Sequence, residues 1–240
     1  MRILVVNDDS VTATQLLPLV RWCQKLGDVT VVVPKVEQSG KSHGIELRHP
    51  FKVHQMMLED VPVYAIESTP ADCVRFAMFG LGMEFDLVIS GINRGLNMGT
   101  DILYSGTVAA ICEAALQGVP AIALSTSLEY YDRAVERLDE VESYIREHKL
   151  MEKHSLYNIN IPEERKGFRI TRQGGPFFSD DFVLSDDGVC TPNGKCIYVN
   201  SNDLTLDTDA VMSGYVSITP LSVNKTEQTV YQALSVLNDK

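Results

Sequence analysis

Short runs of β-branched residues and leucine alternate with longer amphipathic segments through the first two thirds of the chain. Residues 3–6 and 29–33 are continuous apolar runs, which are typical of strands buried on both faces. Between them, apolar residues recur at helical spacing over 16–26, and Gly27 follows as a stop. This alternation predicts right-handed strand–helix–strand crossovers and a parallel sheet covered by helices. We therefore predict an α/β fold with a Rossmann-like, doubly wound, mostly parallel sheet.

Later segments continue the same pattern. Thr69 and Pro70 predict a helix start, because threonine caps helices and proline is tolerated in their first turn. Further strands are predicted at 85–90, 121–124 and 156–161, and helices at 108–117 and 129–148. Residues 35–68 give no regular pattern and are predicted to be polar and irregular.

The pattern changes beyond Pro162, where turn pairs separate short β-like runs. Strands are predicted there at 182–184, 196–199 and 214–220. We predict a single α/β domain over residues 1–240, in which 165–213 form a β-hairpin-rich C-terminal extension used in oligomerisation.

Composition excludes several classes of partner. The 240 residues carry 21 Lys and Arg against 32 Asp and Glu, a formal net charge of −11, with no basic cluster. Long nucleic acid is therefore not an expected partner. No apolar run reaches the roughly 18–20 residues of a membrane span, so no membrane partner is expected either. An anionic substrate would require a cation at its site, most simply a metal ion.

The first nine residues and the cysteines predict a cytoplasmic protein. The opening apolar stretch is too short for a secretory signal. The five cysteines show no metal-binding spacing, so free thiols in a reducing compartment are expected.

Two adjacent acids, Asp8 and Asp9, follow the first predicted strand. Ligands of open α/β sheets gather at the carboxyl ends of strands, where adjacent carboxylates repel unless a cation or a proton lies between them. Carboxylate oxygens suit Mg²⁺ or Mn²⁺. A solvated turn with a helix cap explains this segment equally well when it is considered alone.

Three further loops are predicted at the same edge. The loop 37–42 offers hydroxyls and Gly40, which suit an anion or a metal but are also ordinary in polar loops. The loop 90–99 carries three glycines and two asparagines without dinucleotide-binding spacing, a composition that favours ligand binding over packing. Ser105, Gly106 and Thr107 open a helix, whose N–H groups and hydroxyls favour a phosphate.

Taken together, these segments resemble the stationary-phase survival protein family, SurE. The resemblance covers residues 3–9, 39–40, 68–73, 90–99 and 104–110, and the late segments 158–162, 171–174 and 214–220 also share it, so that it runs nearly end to end. It implies a divalent-metal-dependent phosphatase that hydrolyses nucleoside 5′-monophosphates, and in some members 3′-monophosphates, to nucleoside and inorganic phosphate. It also implies a homodimer or homotetramer built through the C-terminal extension.

The resemblance assigns roles to eight positions. Asp8 and Asp9 would be catalytic; with Ser39 and Asn93 they would also bind one divalent ion per subunit, Mg²⁺ or Mn²⁺. The substrate phosphate would be held by Asn97, Ser105, Gly106 and Thr107. The chain departs from the family pattern over 10–14 and at Thr100 and Ala114, none of which is a proposed ligand.

The residues alone leave two alternative functions open. The opening through Asp9 is also similar to a response-regulator receiver, whose acidic pair binds Mg²⁺. A receiver needs an aspartate after its third strand and a lysine after its fifth, whereas this chain has Ser90–Gly91 and 125–127 (Ser-Thr-Ser) there. The other alternative is a nucleotide-binding protein without catalytic activity.

Overall fold

A nine-stranded mixed sheet forms the centre of the computed structural model, which describes residues 1–238. The strands of the chain are β1 Arg2–Val6, β2 Asp28–Pro34, β3 Val53–Leu58, β4 Val61–Ile66, β5 Leu87–Arg94, β6 Ala121–Thr126, β7 Leu156–Ile161, β8 Phe168–Ile170, β9 Phe182–Leu184, β10 Cys190–Pro192 and β11 Val216–Pro220. The α-helices are α1 Leu16–Gln24, α2 Pro70–Arg75, α3 Gly106–Leu116, α4 Leu138–Glu147, α5 Leu150–Lys153, α6 Asp207–Met212 and α7 Gln228–Leu234.

The strand order places a topological switch at β1. The order is β3-β4-β2-β1-β5-β6-β7-β11-β8, and β9 pairs separately with β10. Strands β4, β2, β1, β5, β6 and β7 are parallel, while β3 and β11 pair antiparallel with β4 and β7. Because the chain winds outward from β1 in both directions, a crevice opens at the carboxyl ends of β1 and β5.

Helices cover both faces of this sheet. One core packs alternate residues of β1, such as Ile3 and Val5, against α1 and α4. The other packs Leu4 and Val6 against α2 and α3. The alternation follows from the period of two in a strand, and burial on both faces explains why β1 is a continuous apolar run. The predicted doubly wound, mostly parallel α/β fold is confirmed.

Most predicted elements are confirmed, namely the strands at 3–6, 29–33, 85–90, 121–124, 156–161, 182–184 and 214–220 and the helices starting near 16, 70 and 108. The helix predicted at 129–148 is α-helical only over Leu138–Glu147. Residues Tyr131–Arg137 form a 3₁₀ helix instead, which buries Tyr131, Ala134 and the whole of Arg137. Arg137 donates to the carbonyls of Pro162 and Glu164 at 3.0 and 2.9 Å.

Two predictions about strands are wrong. Residues 196–199 do not form a strand, because β9 pairs with β10 and Cys196 makes only an isolated bridge to Phe178. The segment predicted to be irregular contains the β3–β4 hairpin, in which Leu58 pairs with Val61 across a two-residue turn. That turn is Glu59–Asp60, and Glu59 has a positive φ of 54°. The Asn-Gly sequence that usually marks such a turn is absent from it.

The C-terminal part combines sheet-bound and exposed pieces. Strands β8 and β11 join the edge of the main sheet, whereas every residue of β9 and β10 is exposed. Within residues 1–238, the structure contains no helix with the length and apolar character needed to cross a membrane.

Candidate functional site

The predicted site residues come together around the carboxyl end of β1. Asp8 and Asp9 follow this strand, and Asn93 lies near the end of the adjacent β5, after a bulge between Ser90 and Asn93. The N-terminus of α3 meets them through Thr107, whose hydroxyl donates to Asp8 Oδ1. The edge predicted from strand order therefore carries two adjacent carboxylates, of which Asp8 meets a helix N-terminus.

Asp8 is the buried member of the pair, with a relative exposure of 4%. Burial raises the pKa of its carboxyl above the ordinary value, and the Thr107 hydrogen bond opposes this in part. The helix approaches so closely because position 106 is glycine. A Cβ there would lie 3.0 Å from Asp8 Cβ and 3.1 Å from Asp8 Oδ2.

Asp9 is half-buried and faces an open cavity. Its Oδ2 accepts from the Arg94 backbone N–H at 2.9 Å, which ties it to β5. Burial raises the pKa of Asp9 to about 6, and the nearby charges of Asp8 and Glu37 act in the same direction. An unscreened acidic pair of this kind is the environment that a bound cation stabilises.

The loop after β2 brings Ser39 to the same cavity. The Gln38 backbone N–H donates to the Asp8 carbonyl at 2.8 Å, so this loop is joined directly to the loop after β1. The Ser39 hydroxyl donates to Glu37 Oε1 at 2.6 Å and is exposed. Ser39 thus presents a neutral oxygen beside the acidic pair.

The two asparagines of the glycine-rich loop differ in their surroundings. Asn93 is half-buried, and its Nδ2 donates to the Gly95 carbonyl at 2.7 Å, which leaves Oδ1 as its outward acceptor. Asn97 is buried, and its Nδ2 donates to Ser125 Oγ at 2.9 Å. The Asn97 carbonyl accepts from Asn158 and Asn160 of β7, at 2.8 and 2.7 Å.

Ser105 caps α3, with its Oγ accepting from the Val108 N–H at 3.1 Å. The hydroxyl hydrogen of Ser105 and the N–H groups of the first turn are the donors that this helix offers to an anion. Ser105, Gly106 and Thr107 are all buried, and none of them lines the cavity that Asp9 faces.

The cavity has a volume of about 570 Å³. It is lined by Asp9, Thr12, Ala13, Thr14, Glu37, Ser39, Arg94, Leu128, Tyr131 and Asp132. Of the predicted site residues, Asp9 and Ser39 line it. Gly106 and Thr107 pack against Asp8, whereas the side chains of Asn93 and Asn97 bond to Gly95 and Ser125 instead. Among residues 1–238, no group of three or more His, Cys, Asp and Glu side chains forms an alternative metal site.

Sequence reasoning missed several residues of this site. Glu37 and Arg94 contact the ligand candidates through polar loops, for which no specific signal exists. Asn158 and Asn160 did give a signal, since two asparagines spaced by two in an apolar strand share one face. That face is fully buried, and the asparagines there hold the backbone of the glycine-rich loop.

A buried carboxylate also joins the glycine-rich loop to the C-terminal extension. The buried Asp207 carboxylate accepts from the Gly99 N–H at 3.0 Å and from the Gly174 and Thr208 N–H groups, each at 2.8 Å. Burial raises the pKa of Asp207, and these three donors oppose that rise. The site and the extension therefore share one buried carboxylate.

The fold and site define a doubly wound α/β protein with an oxygen-donor ligand site at its switch point. The family described as "Survival protein SurE" matches residues 3–180, and on this ground the chain belongs to the SurE family.

Curated relatives and a solved structure agree with this assignment. "5′-nucleotidase SurE" of Pseudothermotoga lettingae is 38% identical, covering 100% of this chain and 96% of the relative. The protein of the same name from Thermosipho melanesiensis is 40% identical over 98% of this chain and 96% of its own length. The crystal structure of SurE from Aquifex aeolicus superposes with a TM-score of 0.81 at 30% identity, covering 100% of both chains. With the family shown, the receiver alternative is set aside.

Proposed function

We propose that this chain is a divalent-metal-dependent 5′-nucleotidase. It hydrolyses nucleoside 5′-monophosphates to nucleoside and inorganic phosphate, with 3′-monophosphates as a second substrate class. The observation that carries the proposal is the acidic pair Asp8–Asp9 packed against the N-terminus of α3 through Thr107. The relatives named 5′-nucleotidase support the same activity.

The donor set fits a hard divalent cation. Asp8 and Asp9 supply carboxylate oxygens, and Ser39 Oγ and Asn93 Oδ1 supply neutral ones, which is the composition that Mg²⁺ and Mn²⁺ prefer. The burial of Asp8 among hydroxyl and N–H donors, with Asp9 and Glu37 nearby, leaves negative charge that a cation balances. We propose one such ion per subunit, held by these four residues.

A divalent ion held by Asp8, Asp9, Ser39 and Asn93 would supply Lewis-acid activation of the phosphate and of the attacking water. The chain's own residues orient the reaction. The first turn of α3 directs N–H groups and the Ser105 hydroxyl toward the phosphate, where they stabilise charge that develops on its oxygens. Asp8 and Asp9 are proposed as the catalytic pair and act together in holding the attacking oxygen in place.

Asn97 would contribute one amide hydrogen to the phosphate. Its Nδ2 donates one hydrogen to Ser125 Oγ in the structure, and the second is the one that we propose for a phosphate oxygen. Its backbone is fixed by Asn158 and Asn160, which positions Asn97 and the glycine-rich loop around it.

The proposal also covers the oligomeric state and the cellular location of the protein. The exposed β9–β10 hairpin carries apolar side chains, among them Phe182, Val183 and Leu184 at 63, 52 and 71% exposure. Such a patch favours contact with another copy of the chain, so we propose a homodimer or homotetramer that uses residues 165–213. The five unpaired cysteines support a reducing, cytoplasmic location.

The test is phosphate release from a panel of nucleoside 5′- and 3′-monophosphates, with Mg²⁺, Mn²⁺ or EDTA. The expected result is turnover with either metal and none with EDTA. Asp9→Asn should weaken Mn²⁺ binding and lower kcat/KM by about 100-fold, within the range typical of losing a metal contact, with an unchanged circular dichroism spectrum. Nucleotide binding without turnover would instead establish the non-catalytic alternative.

A further inference from the structure

A second cavity, of about 260 Å³, lies beside the one that holds Asp9 and Ser39. Its apolar lining includes Leu96, Met98, Leu128, Phe177 and Phe178. The two phenylalanines come from the C-terminal extension, so this cavity forms only because the extension packs back onto the glycine-rich loop.

The two cavities are adjacent and share part of their lining. Leu128 lines both of them, and the glycine-rich loop lines the first with Arg94 and the second with Gly95. These two residues directly follow the metal-ligand candidate Asn93 in the chain. At about 3.8 Å between consecutive Cα atoms, the Cα atom of Gly95 lies within about 8 Å of that of Asn93.

The chemistry of the two cavities is complementary along this path. The first presents carboxylates and hydroxyls, including those of Asp9, Glu37 and Ser39, which suit a metal-bound phosphate and ribose hydroxyls. The second presents mostly aliphatic and aromatic carbon, which suits a flat heterocycle. The order along the molecule matches the order of groups in a nucleoside monophosphate.

Phe178, in the second cavity, is held in place by its neighbours and is still accessible to a ligand. The Phe177 ring stacks on Tyr198 at 5.2 Å and 20°, whereas Phe178 meets Phe177 edge-on at 71° and remains 55% exposed. The Phe178 N–H donates to Asp101 Oδ2 at 3.2 Å, and its backbone bridges to Cys196. Phe178 therefore offers a positioned aromatic face.

We infer that the second cavity binds the nucleobase and that Phe178 is the surface on which the base stacks. Phe178 is then a specificity-determining residue. This inference rests on the proposed nucleotidase function. It assigns the extension a role in substrate recognition in addition to its proposed role in assembly.

The experiment compares two substrates that differ only in the base, adenosine 5′-monophosphate and ribose 5-phosphate, with Mn²⁺. The readout is the ratio of their kcat/KM values. Phe178→Ala should lower this ratio by about tenfold, the factor typical of losing one stacking partner, mainly through KM. Phe178→Tyr should restore the ratio, whereas Phe178→Leu, which keeps bulk without the π-face, should not.

Phe79→Ala is the matched control, since Phe79 is 64% exposed and lines neither cavity. It should leave the ratio unchanged. The inference is overturned if Phe178→Ala lowers both substrates equally, if the ratio does not move, or if Tyr131→Ala in the first cavity moves it instead. A loss that coincides with a change of oligomeric state in light scattering also overturns it, because Phe178 would then be an assembly contact.

Failure of the proposed function gives a different result. In that case the unsubstituted protein releases phosphate from neither substrate with any divalent ion. Turnover of both substrates with an unmoved ratio confirms the activity and rejects only the role of Phe178.

Discussion

The ligand site and the β9–β10 hairpin differ in almost every physical property. At the site, the Asp8 carboxylate is 4% exposed and accepts from Thr107 at a helix terminus. Backbone N–H groups of two loops donate to the Asp8 carbonyl and to the Asp9 carboxylate. In the hairpin, all residues of both strands are exposed, and each strand has three residues. The comparison teaches that the core of the sheet builds the site, whereas the two strands of the hairpin bury none of their residues within the protomer.

Asp207→Ala should have the largest effect on stability, because this residue joins the glycine-rich loop to the C-terminal extension that carries the hairpin. Removing its carboxylate leaves the N–H groups of Gly99, Gly174 and Thr208 without their acceptor. A loss of about 3 kcal/mol in the free energy of unfolding is expected, measured by urea denaturation. Asp186→Ala, on the exposed turn of the hairpin, is the control and should change stability by less than about 0.5 kcal/mol. Equal losses would show that Asp207 carries no special coupling.

Gly106→Ala should be next in size and should affect the site specifically. The added Cβ would meet Asp8 Cβ and Pro70 Cγ, both at 3.0 Å, so the helix terminus must move away from the acidic pair. We expect about 1–3 kcal/mol of lost stability, as for other overpacked positions, together with weaker Mn²⁺ binding by calorimetry. Gly175→Ala has open space around its Cβ and should leave both quantities unchanged. Normal metal affinity in Gly106→Ala would refute the close packing of α3 on Asp8.

Leu184→Asp tests the proposal that the exposed β9–β10 hairpin is a contact between copies of the chain. Leu184 is 71% exposed, so the folded protomer should lose less than about 0.5 kcal/mol. A charge placed in an apolar contact between copies should instead dissociate the oligomer, detected by light scattering as a fall in mass. An oligomer of unchanged mass would locate the interface elsewhere.

The smallest effect concerns an exposed charge cluster at the far edge of the sheet. Glu67 accepts from Lys35 at 2.8 Å and from His54 at 2.9 Å, and these contacts, Lys35 first, lower the Glu67 pKa to about 2. Because the folded pKa lies below the ordinary value of 4.5, any stabilisation is present above pH 4.5 and is lost as the pH falls toward 2. NMR titration of the Glu67 carboxyl should show this low pKa, and Lys35→Ala should raise it. Solvent screening keeps the contribution to stability small. An ordinary pKa in the unsubstituted protein would contradict the contact.

The sequence predicted the parts of the molecule that depend on local pattern. Runs such as residues 3–6 predicted the buried strands, and the rule for strand ends placed Asp8, Asp9 and Asn93 at one edge. Thr107 was predicted beside them because a helix terminus after β5 must begin at that edge. These inferences need only periodicity and connectivity.

The remaining features depend on contacts between distant residues. The β3–β4 hairpin escaped prediction because its turn, Glu59–Asp60, lacks the residues that normally adopt positive φ. The Arg94 N–H reaches Asp9 through the bulge in β5, which no local pattern indicates. Phe178 reaches the cavity lined by Leu128 only through long-range packing, and the tie between Gly99 and Asp207 joins residues 108 positions apart.

The contact between the Gln38 N–H and the Asp8 carbonyl is made by main-chain atoms on both sides. Every amino acid except proline supplies that donor, so the identity of residue 38 is free to drift without altering how the two loops meet. Proline scanning through this loop is consequently the way to shift Ser39 relative to the acidic pair while every ligand side chain stays chemically intact.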